Sequence, residues 1–583
     1  MKIFILFFCL LSVNSFSFSQ DQACFFEGDT LKSLYKTDGE IDSIDFSSKL
    51  LRSGFPSSNL LENYRFVSPF LITQIGGAQL NNADLYQESP KFSAIPHIGA
   101  AFSFGSQTAQ YLKFDYAQVF KGNFYVNFQI KQLSTAGFLR NSAWKNTSIS
   151  TAILRNANRY SFQLNAKYFN ESRGFCKGVT FDSLANSYPL PLIPVQSESA
   201  NGSFTQRSIN ISHRIDFTHA DTTLFAGLIV QNAFSTMDKY FREKDNLAAL
   251  YNLIQFDSLE TNDHYSQIDL QNNAGFGIKN ALFTIEALIT SRYWKYSIHN
   301  LKRDTSEIGL KLFGKYGNKS KFVSNAFQYN LIGGFNAWDN LSVVRWIKGK
   351  QALGISSWIQ NSAPLLSQRF CSTNNYLFQL SDFNLQRRLD LRLSYQLALG
   401  YQQIALQYVF QQASNLLVFN GNTWLSSSAL CAVQLQQISL KSTINLGHFK
   451  INPSYTYTSM DANYRFYPAH LFQTRCLVKG GVFKAKKLKM IGAIDVMASS
   501  KFKAPTLNAA LGILDFSQLP SATWQAPLIN GGLMLGIEIE TFRFFINMDN
   551  LAYFWSDKST ALIQSYTLPT WQLKVGLTWD FWD

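Results

Sequence analysis

The most constraining feature of this chain is an alternation of apolar and polar residues with a period of two. In the segment RRLDLRLSYQLALGYQQIALQYVFQQ, residues 387–412, Leu391 and Leu393 share one parity, and Asp390 and Arg392 share the other. After a Leu-Gly-Tyr turn the phase changes, and apolar residues then alternate with glutamines. Successive side chains of a β-strand point to opposite faces. The segment is therefore predicted to be a β-hairpin with one apolar and one polar face.

Hairpins of this kind recur along the chain, and the connections between them alternate in length. Short turns are predicted near 121–123, 156–159, 218–221, 279–280, 317–320, 349–350, 399–401, 447–448, 483–487 and 540–541. Longer polar or proline-containing loops are predicted near 133–145, 170–205, 233–266, 292–306, 331–340, 361–387, 412–429, 459–469, 499–530 and 550–570. Outer-membrane barrels have short periplasmic turns and long external loops, and a soluble sandwich has no reason for such alternation. The pattern favours a barrel whose apolar face meets lipid and whose polar face lines a lumen.

Composition points the same way with less force. Charged residues make up 15% of the chain and aromatic residues another 15%, whereas a typical soluble domain carries roughly 25% charged residues. Aromatic residues are enriched in membrane barrels, where they form girdles at both interfaces. Composition alone leaves a large all-β protein built of several sandwiches as an alternative.

The N-terminus indicates export. Lys2 precedes an apolar stretch, Ile3–Val13, and small residues follow at Ser17 and Ser19, which together predict a signal peptide over residues 1–19. No later apolar run reaches the 18 residues that a membrane-spanning helix requires. An exported, membrane-bound chain of this kind is expected to span the membrane as a closed barrel.

The strand count follows from the turns. Ten short hairpins supply twenty strands, and alternating segments near 95–105 and 571–582 add one at each end. The sequence therefore predicts an all-β, transmembrane, antiparallel up-and-down barrel of 18–22 strands, with 22 favoured. The expected organisation is a signal peptide over 1–19, a short periplasmic segment over 20–90 and the barrel over 91–583.

Strand parity also predicts which charged residues line the lumen. The expected pore-lining residues are Lys113, Asp115, Lys131, Arg214, Asp216, Lys311, Lys315, Asp390, Arg392, Lys441, Lys487, Lys489, Glu538 and Arg543. Bases outnumber acids among them, and the formal net charge of the chain is +14. Charged rings bias ion passage by sign, so a mildly basic lumen is expected. The alternative is that these charges mainly pair across strands and keep the lumen hydrated, with little selectivity.

Motifs that would indicate catalysis are absent from the sequence. It contains no GxSxG elbow, no HExxH helix and no GxxxxGK[ST] loop. The seven histidines are dispersed, and the cysteines show no CxxC spacing. The sequence therefore predicts no enzymatic activity, no cofactor and no metal site.

Five short stretches resemble a known family. They are FVSPFLITQIGGAQLNN at 66–82, QVFKGNFYVNF at 118–128, GFLRN at 137–141, NRYSFQLNAKYFN at 158–170 and VGLTWDFWD at 575–583. These patterns resemble the family of Bacteroidota outer-membrane barrels named Putative porin, and the likeness extends from about residue 45 to the end. The resemblance implies a porin-like barrel in the cell outer membrane. It carries over no substrate and no binding residues, and the segment 20–64 is shorter than the family leads one to expect.

Two classes of function are compatible with these features. The first is a channel for passive diffusion of small hydrophilic solutes, selective by pore size and by the basic lumen. The alternative is a loop-filled barrel acting as a receptor or as a structural or interaction protein, because the loops near 170–205, 233–266 and 499–530 are long. The expected partners are outer-membrane lipid and lipopolysaccharide, small solutes, and the barrel-assembly machinery, which reads a terminal aromatic strand. Nucleic acid is not expected, because the basic residues form no compact patch.

Overall fold

The computed structural model describes residues 96–582. Short gaps within the connections fall at 122, 158, 182–183, 185–186, 219–223, 319–320, 333–334, 364–368, 381–383, 416, 420–423, 427–432, 461–464, 466–467, 484–486, 512, 516–520, 556–560 and 568–569. The predicted signal peptide and the predicted periplasmic segment over 20–90 lie outside the described residues.

Strands dominate the described part of the chain, where 22 of them form one antiparallel sheet. In chain order they are β1 His97–Gly105, β2 Ala109–Phe120, β3 Phe124–Thr135, β4 Trp144–Asn156, β5 Tyr160–Gly174, β6 Asn201–Asp216, β7 Phe225–Glu243, β8 Thr261–Lys279, β9 Phe283–Ile298, β10 Leu301–Gly317, β11 Lys321–Ile332, β12 Phe335–Lys348, β13 Gln351–Ser362, β14 Gln386–Leu399, β15 Gln402–Ser414, β16 Val433–Leu446, β17 Phe449–Met460, β18 His470–Gly481, β19 Leu488–Ser499, β20 Leu528–Ile539, β21 Phe542–Asp549 and β22 Gln572–Trp582. Each strand pairs with its neighbours in sequence, and β1 pairs with β22 to close the ring. The predicted closed, antiparallel 22-stranded barrel is confirmed.

The two ends of the barrel differ as the turn pattern predicts. At one end, the turn end, the short connections between β2 and β3, β4 and β5, and so on to β20 and β21 fall where the sequence places them. Gly400 and Gly447 occupy two of these turns with φ of 55° and 64°, a left-handed conformation that glycine adopts without strain. At the opposite end, the loop end, most connections are long.

Two of the predicted long loops are wrong. Residues 299–300 alone separate β9 from β10, and residues 333–334 alone separate β11 from β12, where the sequence predicts loops near 292–306 and 331–340. The β9–β10 ladder continues to the end, with Leu301 opposite Ile298. The polar residues of this region extend the strands and do not interrupt them. These strands continue past the apolar part of their outer face, and beyond that part a strand can carry polar side chains on both faces.

Strand length consequently varies around the ring. β7 and β8 each have 19 residues, whereas β21 has 8. The sequence predicts about ten residues per strand, so the β7–β10 side is longer than expected. We call β7–β10 the tall side of the barrel and β18–β21 the short side.

Small elements occupy the loop end. A single-turn helix, α1, spans Leu247–Leu250, and 3-10 turns span Ser106–Thr108, Leu190–Leu192 and Leu551–Phe554. Short strand pairs join Phe370–Ser372 to Leu377–Gln379, Leu417–Phe419 to Trp424–Ser426, Phe502–Lys503 to Trp524–Gln525, Thr506–Asn508 to Ile513–Asp515, and Ala561–Ile563 to Tyr566–Thr567. Within the described residues, no helix has the length and apolar character needed to cross a membrane.

The two faces of the wall separate as the alternation predicts. In the β14–β15 hairpin, Leu393 and Leu406 are 42% and 45% exposed, whereas Asp390 and Gln411 are buried. The same parity recurs on most strands, where the exposed large side chains are Ile, Leu, Phe, Tyr and Val. The apolar residues therefore form the outer face of the barrel.

Candidate functional site: the inner wall and the loop cap

The inner face of the barrel is charged. Arg214 on β6 places its guanidinium 2.5 Å from the carboxylate of Glu286 on β9. Two strands, β7 and β8, lie between these residues. Side chains can bridge two intervening strands in this way on the concave side of a curved sheet. The contact therefore places both residues on the inner wall.

Several predicted wall residues are paired with acids along or across strands. Lys113 Nζ lies 2.9 Å from Asp115 Oδ2 on β2. Arg392 donates two hydrogen bonds of 2.8 Å to Asp390 on β14, and Gln411 donates a third, of 2.6 Å, to the same carboxylate. Neutralised pairs of this kind hydrate a wall and add little net potential.

The other predicted wall residues differ from one another in burial and in the groups that they contact. Lys131 on β3 and Lys311 on β10 are buried, and Lys441 on β16 is half-buried. Lys315 lies with its ammonium 4.8 Å from the centre of the Phe322 ring, within the range of a cation–π contact. Asp216, the last residue of β6, accepts hydrogen bonds from the backbone and hydroxyl of Thr218, so its carboxylate caps a turn.

Lys487 differs from its predicted place. It lies one residue before β19, in the connection between β18 and β19, and 76% of its side chain is exposed. Its ammonium is 3.6 Å from Glu540 in the neighbouring turn. The strand begins later than the alternation suggests, so Lys487 belongs to the rim of the turn end, not to the wall beside Lys489.

The densest group of charges lies on the short side, near the turn end. Glu538 on β20 is buried, and three cations surround its carboxylate. Lys479 Nζ lies at 3.0 Å, Lys489 Nζ at 3.2 Å and Arg543 Nε at 2.9 Å from its oxygens. We call Glu538 with these three residues the basic cluster. Its members come from four consecutive strands, β18 to β21.

Several wall residues were not predicted from the sequence. Lys479 has the parity of Arg475 on the same strand and was open to detection by extending the alternation. On the tall side, Arg292 makes a bidentate pair with Asp269, at 2.9 and 2.7 Å. Glu307 accepts a hydrogen bond of 3.2 Å from Asn330. These acids sit in strand segments that the sequence alone assigns partly to loops.

At the loop end, described residues of four connections pack against one another. We call the described residues within 175–200, 244–260, 363–385 and 500–527 the loop cap. Its buried apolar core joins loop residues to the inner faces of β7–β9. The core comprises Ala200, Phe241, Tyr265, Tyr296, Ile298, Cys371, Tyr376, Phe378, Ala509, Ala510 and Leu511. The cap is thus a packed structure that leans on the tall side.

Asn374 is the hub of the cap. Its side-chain oxygen accepts hydrogen bonds from the backbone N–H groups of Phe256, at 2.8 Å, and Asp257, at 2.9 Å. Its side-chain amide donates to the carbonyl of Asp257 at 2.7 Å. Its backbone N–H donates to Asp263 on β8 at 2.8 Å. One residue therefore connects two loops and the wall.

Two further links cross the cap. Lys239 on β7 donates a hydrogen bond to the carbonyl of Leu511, and the Asn508 side chain donates to the Tyr376 hydroxyl at 2.8 Å. The residues joined by these two contacts lie 272 and 132 positions apart in the chain. Loop 500–527, from the short side, thereby reaches the tall side.

A buried ionic group anchors loop 175–200. Lys177 Nζ lies 2.7 Å from Glu243, and the Tyr251 hydroxyl donates to the same carboxylate at 2.5 Å. Burial lowers the pKa of Lys177, and the charge of Glu243 opposes this change. Burial, together with Glu243, raises the pKa of Tyr251. A buried carboxylate contacted by two donors holds its partners in fixed positions.

Among the described residues, no cluster of His, Cys, Asp and Glu has an arrangement that would hold a metal ion. Cys176, Cys371 and Cys476 are free thiols. The candidate site therefore consists of the charged inner wall and the loop cap.

The sequence matches a known protein family. The model of the family described as Putative porin matches residues 16–583, nearly the whole chain. Among curated proteins, no sequence matches the chain.

Solved structures share the fold at low sequence identity. The siderophore receptor PirA from Acinetobacter baumannii aligns with a TM-score of 0.60 at 9% identity, over 85% of this chain and 81% of that one. The copper transporter OprC aligns with a TM-score of 0.61 at 10% identity, over 85% and 82%. The FrpB iron transporter from Neisseria meningitidis aligns with a TM-score of 0.57 at 10% identity, over 84% and 81%. At these identities the similarity concerns the fold.

Proposed function

The chain belongs to the Putative porin family, and from this premise we propose that it is an outer-membrane barrel through which small hydrophilic solutes pass. The observation that carries the proposal is the charged inner wall of a closed 22-stranded barrel. A wall of this kind stabilises water and polar solutes along the axis of the barrel.

The apolar outer face supports a membrane location. Contiguous exposed apolar surface of this extent is unfavourable in water and is expected against lipid. In this arrangement the turn end faces the periplasm, the loop end faces the exterior, and residues 1–19 direct export. Lipid and lipopolysaccharide then surround the barrel.

The loop cap limits entry from outside. Its buried core and the contacts of Asn374 fix four loops across the loop end. Solutes therefore enter by passing beside the cap or when the cap loosens. Because most wall charges are paired, selectivity by sign is weak except where cations outnumber acids.

Planar-bilayer recording tests the proposal. The purified wild-type chain is compared with Asn374→Ala, which removes the side-chain hub of the cap. We expect measurable conductance from the wild type and a larger or more frequent open state from the variant. If well-folded protein conducts in neither form across many insertions, the channel function is wrong.

A second candidate is a receptor-type barrel whose loop cap binds a small molecule. The observation that favours it is the packed core of the cap, which fits a binding surface at least as well as a flexible entrance. Solved structures with a similar fold include a siderophore receptor and metal transporters. If the barrel does not conduct, and small-molecule binding is lost in Asn374→Ala, this candidate replaces the channel.

A further inference from the structure

We propose that the basic cluster on the short side is a binding subsite for small divalent anions, such as inorganic phosphate or a dicarboxylate. This inference rests on the proposed function in one respect: the anion reaches the cluster through the lumen. It deepens that function by naming the class of solute that the wall favours.

Positively charged side chains from three strands converge on the carboxylate of Glu538. Lys489 and Arg543 stand directly opposite Glu538 on the two strands that flank β20. Lys479 reaches the same carboxylate from β18, across the whole width of β19. Three cations thus gather around one carboxylate, and the group as a whole carries a surplus of two positive charges.

The other acidic residues on the same strands are few, and basic residues outside the cluster lie close to them. β18 has no acidic residue, and β19 contributes Asp495, which Arg475 binds with two hydrogen bonds of 2.7 and 2.8 Å. On β21, Asp549 lies 4.0 Å from Lys574 of β22. Within these four strands, Glu538 is the one carboxylate that contacts all three cations.

The inner-face residues next to the cluster, on the side of the loop end, are apolar. One position nearer the loop end, the inner faces of the same strands carry Leu477, Ile491 and Phe545, which belong to one buried apolar group with Ala493 and Met534. These side chains add no charge that could neutralise the cluster. They also exclude water from one flank, which strengthens electrostatic attraction there.

The lysine side chains of the cluster are more exposed than its carboxylate. The side chain of Glu538 is 4% exposed, whereas those of Lys479 and Lys489 are 26% and 43% exposed. The carboxylate is therefore more deeply buried than the two lysine side chains that contact it, and these side chains reach solvent. An incoming anion meets their free N–H donors first. Charge-assisted hydrogen bonds from ammonium to phosphate or carboxylate oxygens are among the stronger polar contacts.

A divalent anion fits the cluster best on charge. Two negative charges balance the surplus of two, whereas chloride leaves one positive charge uncompensated. The Arg475–Asp495 pair, higher on the same wall, is already neutral. It offers no comparable attraction, so the subsite is local.

Calorimetric titration of the full-length chain in detergent tests the subsite without requiring conductance. The probes are inorganic phosphate and succinate, with chloride for comparison, at low salt. We expect saturable binding of both divalent anions to the wild type. Lys489→Gln should weaken binding roughly tenfold, the effect of losing one charge-assisted contact. Raising salt from 0.1 to 1 M should also weaken it, because the screening length falls from about 10 Å to about 3 Å.

Two further variants make the test decisive. Glu538→Gln removes the competing carboxylate and should tighten anion binding several-fold, opposite in sign to the lysine variant. Lys487→Gln is the matched control, because Lys487 lies close by in the chain but on the exposed rim, and it should leave binding unchanged. A merely structural role for the cluster would make Glu538→Gln and Lys489→Gln fail in the same direction, and that result would overturn the proposal. Circular dichroism verifies that each variant folds.

The same variants separate this inference from the channel function. If the barrel conducts but phosphate neither binds nor changes the reversal potential, the subsite is wrong and the channel stands. If phosphate binds with the expected pattern of variants but no conductance appears, the subsite stands and the channel is wrong.

Discussion

The tall side and the short side of the barrel end differently at the same rim. On the tall side, strands of 16 to 19 residues continue upward, and residues 299–300 alone join β9 to β10. On the short side, β19 and β20 end early and are joined by the long connection 500–527. The long connection then folds across and packs against the tall strands. The cap therefore depends on both sides, because one supplies a wall and the other supplies the chain that rests on it.

The outer faces of the two sides differ in the same way. On β10, Ile308, Leu310 and Leu312 are exposed, and Lys302, Asp304 and Ser306 follow them toward the loop end. On β20, exposed apolar residues extend from Ile539 to Ile529, close to the end of the strand. The apolar zone thus ends partway along the tall strands and spans nearly all of a short one. We infer that the tall strands project beyond the lipid.

The largest expected effect tests whether the tall strands project beyond the lipid. Arginine on the lipid-facing side near the membrane centre costs about 2–4 kcal/mol, and the cost falls to about 0–1 kcal/mol near the interface. Leu310→Arg on β10 should therefore impair assembly strongly, and Ser306→Arg on the same strand and face should be tolerated. Folding yield in lipid vesicles and urea unfolding measure the difference. Equal losses in the two variants would contradict a projecting tall side.

The next effect concerns the hub of the cap. Asn374→Ala removes the side chain that joins loop 363–385 to loop 244–260. The backbone N–H groups of Phe256 and Asp257 are only partly buried, so the loss of their acceptor costs about 1 kcal/mol. Hydrogen exchange should accelerate in both loops while the strands of the barrel stay protected. Global loss of protection would mean that the cap and the wall unfold as one unit.

The cap should also respond to alkaline pH. Burial raises the pKa of Cys176 to about 11 and that of Cys371 to about 12, from an ordinary 9.0. The stability contributed by these protonated thiols is complete below pH 9 and is lost as pH rises toward 11 and 12. Lys177, whose pKa burial lowers, has the opposite sign, because it loses its proton more readily when folded.

The expected net result is a cap that loosens above pH 9, since the raised pKa values of two thiols and of Tyr251, Tyr265 and Tyr296 outweigh the lowered pKa values of Lys177 and Lys239. Hydrogen exchange corrected for its intrinsic pH dependence measures this in loop 363–385. Cys371→Ala should reduce the pH dependence. A cap whose protection is constant from pH 8 to 11 would contradict the assignment of these thiols to its buried core.

The smallest effect is expected at the turn end. Lys487 and Glu540 form an ion pair whose side chains are 76% and 68% exposed. Exposed pairs of this kind contribute about 0–1 kcal/mol. Lys487→Gln should therefore leave urea unfolding within about 0.5 kcal/mol of the wild type. A larger loss would show that the rim of the turn end, like the cap, takes part in the stability of the barrel.

Much of the wall was predictable because its determinants are local. The alternation in residues 387–412 specifies both strands of the β14–β15 hairpin and assigns Asp390 and Leu393 to opposite faces, because side chains of a strand alternate whatever surrounds it. Glycines such as Gly400 mark where a tight turn is accessible. The strand count followed from the same short-range signals.

The loop end was harder to predict from the sequence because polar residues occur there for two different reasons. Residues 302–306 are polar because they extend a strand with a polar outer face, whereas Ser500, Lys501 and Lys503 are polar residues of a connection. A single sequence does not separate the two, since both lack the apolar alternation of the lipid-facing zone. The distinction depends on whether a neighbouring strand continues to offer hydrogen-bond partners.

The sequence by itself determined the strands, their two faces, the short turns and the number that closes the ring, because these depend on a period of two and on turn residues a few positions apart. Only the tertiary structure decided which charges meet. Glu538 faces Lys489 and Arg543 through strand register, but Lys479 joins them from two strands away. Only the closed barrel brings Leu511 to Lys239. Contacts of that kind depend on curvature and on the relative heights of distant strands, which no local pattern records.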